Sequence, residues 1–337
     1  MAFRQKPAQW NQRTLYLALT IVLVIALAAL LAAFALTRRD GGVTSTTVVT
    51  GLAGIPVVEY EIKPPTDDGF RPRGSVIVGD KAYIADSEGA RVAVLDLAQG
   101  SSAELTFIPI ASENPSVPLK ARPQPTAVGA LSDGTLLVAD AANQTIWRLS
   151  TDGSLLGTFP ETLDRLRSKL TSPVGLWVSG DEVYVSDVFD QRIKVYSASG
   201  SYLRAFGAAG YFPGEFSYPN AVTVGDEGRV VVADSNNNRV QIMGPDGSTP
   251  VVLTGASADK PFSLPRAVAR DRFGRLHVVD TFGQDVVVFD RDNRYLFTYG
   301  QDAEPSHRLN LPEGIAIGEN VVVVSDGGNG RVLVYAY

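Results

Sequence analysis

Short apolar runs alternate with polar turn residues along most of the chain. From residue 55 onward these runs are rich in β-branched residues and are separated by Gly, Asp, Asn and Pro, and no segment shows a clear helical period. One exception is "PETLDRLRSKL", residues 160–170, whose pattern suits a short helix between strands. The pattern therefore predicts an all-β domain.

The beginning of the chain follows a different pattern. Residues 15–36, "LYLALTIVLVIALAALLAAFAL", run for 22 positions without a charge. As a helix they would extend about 33 Å, which spans a bilayer, whereas the apolar part of a cleaved signal peptide is usually only about 7–15 residues long. We therefore expect an uncleaved transmembrane helix, although the small residues Ala33 and Ala35 are compatible with cleavage.

The charges on either side of this helix predict its orientation. Arg4, Lys6, Arg13 and the terminal amine precede it, and only Arg38 and Arg39 follow it closely. Because positive charge favours the cytoplasmic side, we expect a cytoplasmic tail at residues 1–14 and an exported C-terminal part. Residues 37–55, rich in Gly, Ser and Thr, then predict a flexible linker.

Beyond the linker the sequence repeats with a period near 47 residues. Six apolar runs end in an aspartate, at spacings of 54, 47, 47, 46 and 46 residues. The recurring aspartates are Asp86, Asp140, Asp187, Asp234, Asp280 and Asp326. Six prolines that open short strands recur in phase with them: Pro72, Pro125, Pro173, Pro219, Pro265 and Pro312. Each unit reads as four strands joined by turns, so the six units predict a six-bladed β-propeller with four antiparallel strands per blade.

The two ends of this domain, residues 56–337, predict how the ring closes. The sixth unit stops after its third strand, "RVLVYAY", at residue 337. The segment "PVVEYEI", residues 56–62, precedes the first unit and has no other partner. We expect it to supply the fourth strand of the last blade, since this removes an exposed sheet edge.

The repeats resemble a known family, the NHL repeats. Residues 206–248, "FGAAGYFPGEFSYPNAVTVGDEGRVVVADSNNNRVQIMGPDGS", contain a Gly-rich lead-in, a Phe before the Pro and an Asp-x-x-Asn-x-Arg turn. The third unit, "SPVGLWVSGDEVYVSDVFDQRIKVYSASGSYLRAFG", is almost as close. The resemblance covers roughly residues 70–337 and implies an NHL or TolB-like propeller. This part of the chain is similar to the extracytoplasmic NHL sensor domains of bacterial receptor kinases, but the chain has no kinase domain.

The hairpin after each recurring aspartate is expected to be structural. Three residues after the aspartate, every unit has a residue type that tolerates a left-handed conformation, which we expect at this position. These residues are Gly89, Asn143, Asp190, Asn237, Gly283 and Asn329. Two residues further, four units have an arginine that can pair with the aspartate: Arg91, Arg192, Arg239 and Arg331. Thr145 and Asp285 stand there in the second and fifth units, where the contacts must be built differently.

The residues directly after the recurring prolines are candidates for a binding site. In a propeller the inner strands line the channel, so these residues should reach its mouth: Arg73, Thr126, Val174, Asn220, Arg266 and Glu313. The arginines Arg73 and Arg266, together with Asn220 and Glu313, suit a small anionic ligand or a peptide terminus. The alternative is a hydrated ring of mutually paired polar groups.

Two aromatic residues are expected at hairpin tips on the same face. Phe189 and Phe282 have little core to enter there, and exposed aromatic residues on a rigid face are typical of a protein-binding patch. The alternative is that they pack on the neighbouring hairpin. Asn236 and Asn238, which flank the turn at Asn237, are further candidates for contacts with a partner.

The amino-acid composition excludes several kinds of functional site. The chain has no cysteine and only two histidines, His277 and His307, which excludes thiolate sites and a three-histidine zinc site. The first 40 residues carry a charge of +4, which leaves −10 on the remaining chain. We therefore expect no nucleic-acid partner, because nucleic-acid affinity depends on basic residues that neutralise phosphates. No cofactor is expected, with calcium in the channel as the one alternative.

These observations lead to a primary hypothesis and an alternative. The primary hypothesis is a non-enzymatic platform, anchored in the cell membrane by residues 15–36, whose extracytoplasmic propeller binds a protein or another envelope component. The alternative is a calcium-dependent hydrolase of the lactonase type with its site in the central channel. Lactonase-type propellers hold calcium with carboxylates and asparagines in the channel, and Glu313 and Asn220 would be the candidates for that role in this chain.

Overall fold

The computed structural model describes residues 54–65, 69–110, 119–160, 169–301 and 304–337. The expected tail, transmembrane helix and most of the linker lie outside these residues, as does the expected short helix over most of its length. Within the described ranges, no helix is long and apolar enough to cross a membrane.

The described residues form short strands and brief 3-10 helices. The strands, in chain order, are β1 (Val57–Ile62), β2 (Pro72–Val78), β3 (Lys81–Asp86), β4 (Arg91–Asp96), β5 (Thr106–Pro109), β6 (Pro125–Ala130), β7 (Leu136–Asp140), β8 (Thr145–Leu149), β9 (Leu155–Phe159), β10 (Pro173–Ser179), β11 (Glu182–Asp187), β12 (Arg192–Ser197), β13 (Tyr202–Phe206), β14 (Pro219–Val224), β15 (Val230–Asp234), β16 (Arg239–Met243), β17 (Val251–Leu253), β18 (Gly255–Ser257), β19 (Lys260–Pro261), β20 (Pro265–Arg270), β21 (Leu276–Asp280), β22 (Asp285–Phe289), β23 (Tyr295–Tyr299), β24 (Pro312–Ile317), β25 (Val321–Asp326) and β26 (Arg331–Ala336). The 3-10 helices are Leu97–Ser102, Asp226–Gly228, Ser235–Asn237, Pro305–His307 and Gly327–Asn329.

The strands assemble into six antiparallel four-stranded sheets, which are the blades of a propeller. Blades 1 to 5 are β2–β5, β6–β9, β10–β13, β14–β17 and β20–β23, each paired in chain order. Blade 6 has the order β1-β26-β25-β24, with Val57 opposite Ala336 and Ile62 opposite Val332. A two-stranded hairpin, β18 and β19, lies between blades 4 and 5 in the chain. The prediction of a six-bladed, all-β propeller is confirmed.

Each blade is buried on both faces because it packs between two neighbours. Six apolar clusters fill the spaces between adjacent blades. In the cluster between blades 6 and 1, Ile84 and Leu95 pack with Val323 and Val334. Burial of both faces explains why strands such as β15, "VVVAD", are continuous apolar runs rather than alternating ones.

The recurring prolines and aspartates are in phase because they pair across the first two strands of each blade. Pro72 lies opposite Asp86, and Pro219 lies opposite Asp234, as do the equivalent residues of the other blades. The start of each inner strand and the hairpin between the second and third strands therefore share one end of the blade. We call the face formed by these ends the hairpin face.

The inner strands approach one another closely at their beginnings. The second residue after each recurring proline is Gly or Ala. A Cβ atom at Gly314 would lie 2.1 Å from the Arg73 carbonyl oxygen, and one at Gly175 would lie 2.6 Å from that of Asn220. This close packing fixes the backbone that carries the residues at the mouth of the channel.

Candidate functional site

The six recurring aspartates are buried and connect each hairpin to the segment that enters the same blade. Asp234 is fully buried, and its carboxylate accepts hydrogen bonds from the Ser217 backbone N–H at 2.6 Å and the Arg239 Nε at 2.7 Å. The carboxylate of every other recurring aspartate likewise accepts a backbone N–H from a residue one or two positions before the recurring proline. These charge-assisted bonds hold the loops of the hairpin face in place.

The expectation of a left-handed residue three positions after each aspartate is wrong. The left-handed residue is the fourth one, with Asn238 at φ 50° and Gly330 at φ 58°, and with Ala90, Gln144, Gln191 and Gln284 in the other blades. In blades 1, 2, 4 and 6 the third residue instead donates a hydrogen bond to the aspartate. The side-chain amide of Asn237, for example, lies 2.9 Å from the Asp234 carboxylate. The chain reverses at the residue that follows this contact, and that residue has the positive φ.

The arginine after the turn takes its expected position in three blades. The Nε atoms of Arg91, Arg239 and Arg331 each lie 2.7 Å from the aspartate of their own blade. Arg192 is exposed and does not take this role; Lys194 contacts the Asp187 carboxylate at 2.8 Å instead.

A contact to the aspartate also comes from the residue seven positions after it. In blade 2 the indole N–H of Trp147 donates to Asp140 at 2.9 Å, where Thr145 offers no charge. Lys194 and Gln241 stand at the equivalent positions of blades 3 and 4, and both contact the aspartate of their blade. The spacing of seven residues is visible in the sequence, but the prediction from the recurring arginines did not include it.

Blade 5 buries two carboxylates next to each other. Asp280 and Asp285 are opposite one another on β21 and β22, and both are almost completely buried. Burial raises the pKa of both carboxyls, and the Asp285 charge raises that of Asp280 further. Lys260 compensates in part, with its Nζ 3.0 Å from Asp285. The negative charge of Asp285 is therefore partly balanced by Lys260 on β19, a strand outside the repeat.

The residues that follow the recurring prolines converge on one cavity. Its volume is about 70 Å³. All six predicted residues line it: Arg73, Thr126, Val174, Asn220, Arg266 and Glu313. The proposal that they bind a ligand remains a prediction, but the structure brings them together at the channel mouth.

Three guanidinium groups surround the buried carboxylate of Glu313. Arg71 lies 2.9 Å from one oxygen, and Arg266 and Arg73 lie 3.0 and 3.3 Å from the other. Burial lowers the pKa of Arg73, and the charges of Arg266 and Arg71 lower it further, whereas Glu313 acts in the opposite direction. Sequence analysis missed Arg71 because it precedes Pro72, and only the residues after the prolines were considered.

This arrangement does not fit the alternative of a calcium site in the channel. Both oxygens of Glu313 are occupied by arginines, and a calcium ion would place a further positive charge beside three guanidiniums. The Asn220 side chain donates an N–H to the Tyr218 carbonyl at 3.2 Å. Among the described residues, no group of three or more His, Asp or Glu side chains is placed to hold a metal ion.

A second cavity continues the channel from the first. Its volume is about 130 Å³, and its walls include the apolar side chains of Val76, Ile77 and Val178. The two cavities share Ser75, Val128, Leu176, Trp177 and Ile315. Trp177 is thus part of the channel wall. Charged side chains concentrate at the mouth of the channel, and further in its walls are mostly apolar side chains, with Arg270 among them.

Exposed aromatic side chains form a second feature, on the loops of blades 3 and 4. Phe189, Tyr211, Phe212 and Tyr218 are 65%, 67%, 57% and 41% exposed. Phe189 packs edge-on against Tyr218 with 6.3 Å between ring centroids, and Tyr211 stacks on Phe212 at 4.4 Å. Phe189 is thus both exposed and in contact with the next blade. We call these four residues the aromatic patch.

The loop that carries Tyr211, Phe212 and Tyr218 is held by buried groups. Arg239 donates to the carbonyl oxygens of Tyr211 and Phe212 at 2.5 and 2.9 Å. Phe216 from the same loop is fully buried in the cluster between blades 3 and 4. The aromatic patch therefore sits on an ordered support.

The remaining candidates on the hairpin face are exposed but are not shown to belong to this patch. Phe282 is 60% exposed on the hairpin of blade 5. Asn236 and Asn238 are exposed on either side of Asn237, whose side chain is engaged with Asp234. Whether these residues contact a partner stays a prediction.

Comparison with known proteins supports the repeat and the fold. Residues 216–243 match the family model of the NHL repeat. The chain is 29% identical over 143 residues to the E3 ubiquitin-protein ligase TRIM32 of Homo sapiens, an alignment that covers 39% of this chain and only 21% of the relative. The chain thus spans about a fifth of the length of that protein.

Solved structures show the same architecture at low identity. Virginiamycin B lyase from Staphylococcus aureus is 14% identical with a TM-score of 0.54, covering 82% of this chain and 98% of the lyase. A chain of the nidogen/laminin complex is 18% identical with a TM-score of 0.56, covering 74% of this chain and 85% of that chain. At such identities the likeness concerns the fold. The protein therefore carries an NHL repeat, at residues 216–243, within a six-bladed β-propeller.

Proposed function

We propose that this propeller is a non-enzymatic platform that binds another protein through the aromatic patch. The observation that carries the proposal is the exposure of Tyr211, Phe212 and Tyr218 on a loop held by buried hydrogen bonds, with the exposed Phe189 of the neighbouring hairpin packed against Tyr218. An ordered, exposed group of aromatic residues is typical of a binding surface, because such residues contribute most of the energy at protein interfaces.

The energy available from this patch is substantial. Full burial of one large apolar side chain contributes about 1.5–3 kcal/mol, so four half-exposed aromatic residues can contribute several kcal/mol to association. The loop is already held by Arg239 and Phe216, and little further ordering is required when a partner binds.

The similar proteins are compatible with a binding function, but they do not favour it over catalysis. The structures with the same fold include a lyase and a component of a protein complex, so the fold alone does not decide between catalysis and binding. The alternative of a calcium-dependent hydrolase is weakened by the arginines around Glu313, which occupy the proposed calcium ligand.

We further propose that residues 15–36 anchor the chain in the cell membrane with the propeller on the extracytoplasmic side. The uncharged length of this segment and the basic residues before it support the proposal. The partner would then be an envelope protein. Protease added to intact spheroplasts should digest the propeller-containing part, and complete protection of the propeller would contradict this topology.

The partner can be identified and the patch tested in one experiment. The full chain is crosslinked in cells, purified, and its crosslinked neighbours are identified by mass spectrometry. A variant with Phe189→Ser, Tyr211→Ser and Phe212→Ser should lose the specific neighbour. Leu156→Ser, which changes an apolar residue that is 52% exposed on β9, is the matched control and should retain it. Equal recovery from both variants would rule out the aromatic patch.

A further inference from the structure

The arginines at the channel mouth outnumber the acids they contact. Arg71, Arg73 and Arg266 all pair with Glu313, which leaves two positive charges in excess among the groups in direct contact. Glu88 also acts on Arg73 through its charge and reduces this excess without cancelling it. A mutually neutralised polar ring would need at least one more acid at the mouth.

The arginines also retain hydrogen-bonding capacity. A guanidinium has five N–H donors, and a carboxylate accepts about four hydrogen bonds. Glu313 is already contacted by three guanidiniums, and the Arg73 Nε donates to the Ser87 hydroxyl at 3.1 Å. The Nε atoms of Arg71 and Arg266 are buried and have no hydrogen-bond partner. Buried donors are rarely left unpaired, and Arg266 lines the cavity at the mouth, so its Nε points to an acceptor that binds there.

The space beside the arginines is shaped for more than an inorganic ion. The polar mouth, about 70 Å³, shares walls with the second cavity of about 130 Å³, which we call the apolar cavity because apolar side chains make up most of its lining, beside Arg270 and Ser75. The hydroxyl of Ser75 lines both cavities and is buried without a partner. A fully hydrophilic anion would leave the apolar part unfilled, whereas a short hydrocarbon tail would bury its surface there.

We propose that the channel mouth binds a carboxylate that carries a short apolar tail, with the carboxylate on Arg266 and Arg73, which line the mouth, and the tail in the second cavity. A planar guanidinium matches the two oxygens of a carboxylate, which gives short, charge-assisted hydrogen bonds. A free organic acid and the C-terminal residue of a peptide share this chemistry. The site is independent of the aromatic patch, and neither proposal depends on the other.

The test uses the full chain purified in detergent micelles, with hexanoate as the probe. Binding is followed by isothermal titration calorimetry and by the fluorescence of Trp177, which lines both cavities. Hexanoate should bind saturably at one site. Hexanol, which has the tail without the charge, and inorganic phosphate, which has charge without the tail, should each bind at least about tenfold more weakly, a difference of about 1.4 kcal/mol.

Two peptides distinguish the sources of the carboxylate. One ends in leucine with a free C-terminal carboxylate, and the other has the same sequence with a C-terminal amide. Binding of the free-acid peptide alone assigns the site to a peptide terminus, and binding of hexanoate without either peptide assigns it to a free acid. Absence of binding by both hexanoate and the free-acid peptide would overturn the proposal, as would equal binding of hexanoate and hexanol.

Variants separate the two halves of the site. Arg266→Gln should weaken hexanoate binding about tenfold or more, while Arg272→Gln, which changes an arginine that pairs with Asn320 instead, should leave it unchanged. Ala130→Leu places a larger side chain in the wall of the apolar cavity and should weaken hexanoate more than acetate. Because Ala130→Leu leaves the arginines intact, it tests the tail site even if loss of Arg266 destabilises the fold. Unchanged hexanoate affinity in folded Arg266→Gln or Ala130→Leu would contradict the assignment.

Discussion

At the scale of single residues, the buried pair of Asp280 and Asp285 gives a prediction about stability. The pKa of each carboxyl is raised in the folded protein, mainly by burial, so ionisation of the pair disfavours folding. Asp285→Asn removes one charge and supplies an amide N–H that can donate to Asp280. We expect the free energy of unfolding at pH 7 to increase by about 1 kcal/mol, as measured by urea unfolding.

The pH dependence of this variant follows from the direction of the shifts. A raised folded-state pKa means that the folded protein binds the proton more tightly than the unfolded chain does. The penalty from ionisation is therefore present at neutral pH and is relieved as the pH falls through the folded pKa toward the usual value of about 3.9. The advantage of Asp285→Asn should shrink between pH 7 and pH 4. Asp292→Asn, which changes an exposed acid of the same blade, should show neither effect, and a less stable Asp285→Asn at pH 7 would contradict the argument.

Spacing in the sequence located side chains but not always their contacts. It placed the six residues of the channel mouth correctly because each follows a proline held in register with a buried aspartate. It assigned Arg192 to Asp187, whereas Lys194 makes that contact and Arg192 is exposed. Both residues lie on β12, and which of them reaches the carboxylate depends on the packing around it. Arg71 was missed for a related reason, since its role arises from Glu313, 242 residues away.

At the scale of elements, repetition made the blades predictable and its absence left other parts open. The same pattern of four strands occurs in each of the six units, so a wrong strand assignment in one unit is corrected by comparison with the others. The hairpin β18–β19 occurs once, between blades 4 and 5, and had no such support. It matters because it carries Lys260, which compensates Asp285. Segments that occur only once, such as this hairpin and the loop with Tyr211 and Phe212, carry the features that do not follow from the repeat.

The strand β1 provides a prediction at this scale. Ile62 is 6% exposed and packs with Val332 and Val334 in the cluster between blades 6 and 1, whereas Val57 on the same strand is 67% exposed. Ile62→Ala should lower the free energy of unfolding by about 2–5 kcal/mol, because it removes buried methyl groups and leaves a cavity. Val57→Ala should change it by less than about 0.5 kcal/mol in the same urea titration. Equal effects of the two changes would show that β1 does not contribute to the core through Ile62.

At the scale of the whole molecule, the apolar core has no break around the ring. Each of the six clusters joins two neighbouring blades, and the cluster that contains Ile62 joins the last blade to the first. An open array of repeats can lose its end units one at a time, because an end unit has only one neighbour. In this ring every blade has two neighbours, so loss of one blade exposes two apolar faces and destabilises both adjacent blades.

The propeller should therefore unfold in one transition, even when it is weakened at a single junction. Ile62→Ala weakens the contact between blades 6 and 1, while Trp147 reports from the cluster between blades 1 and 2 and Trp177 from the wall of the channel. In this variant, tryptophan fluorescence and far-ultraviolet circular dichroism should give the same lowered urea midpoint, which is the test for two-state behaviour. If the weakened blade unfolded independently, circular dichroism would show an early transition that the fluorescence of these tryptophans does not follow. Coincident midpoints would instead show that contacts at the closing strand stabilise the distant channel wall, since the ring transmits the loss at one junction to all of its blades.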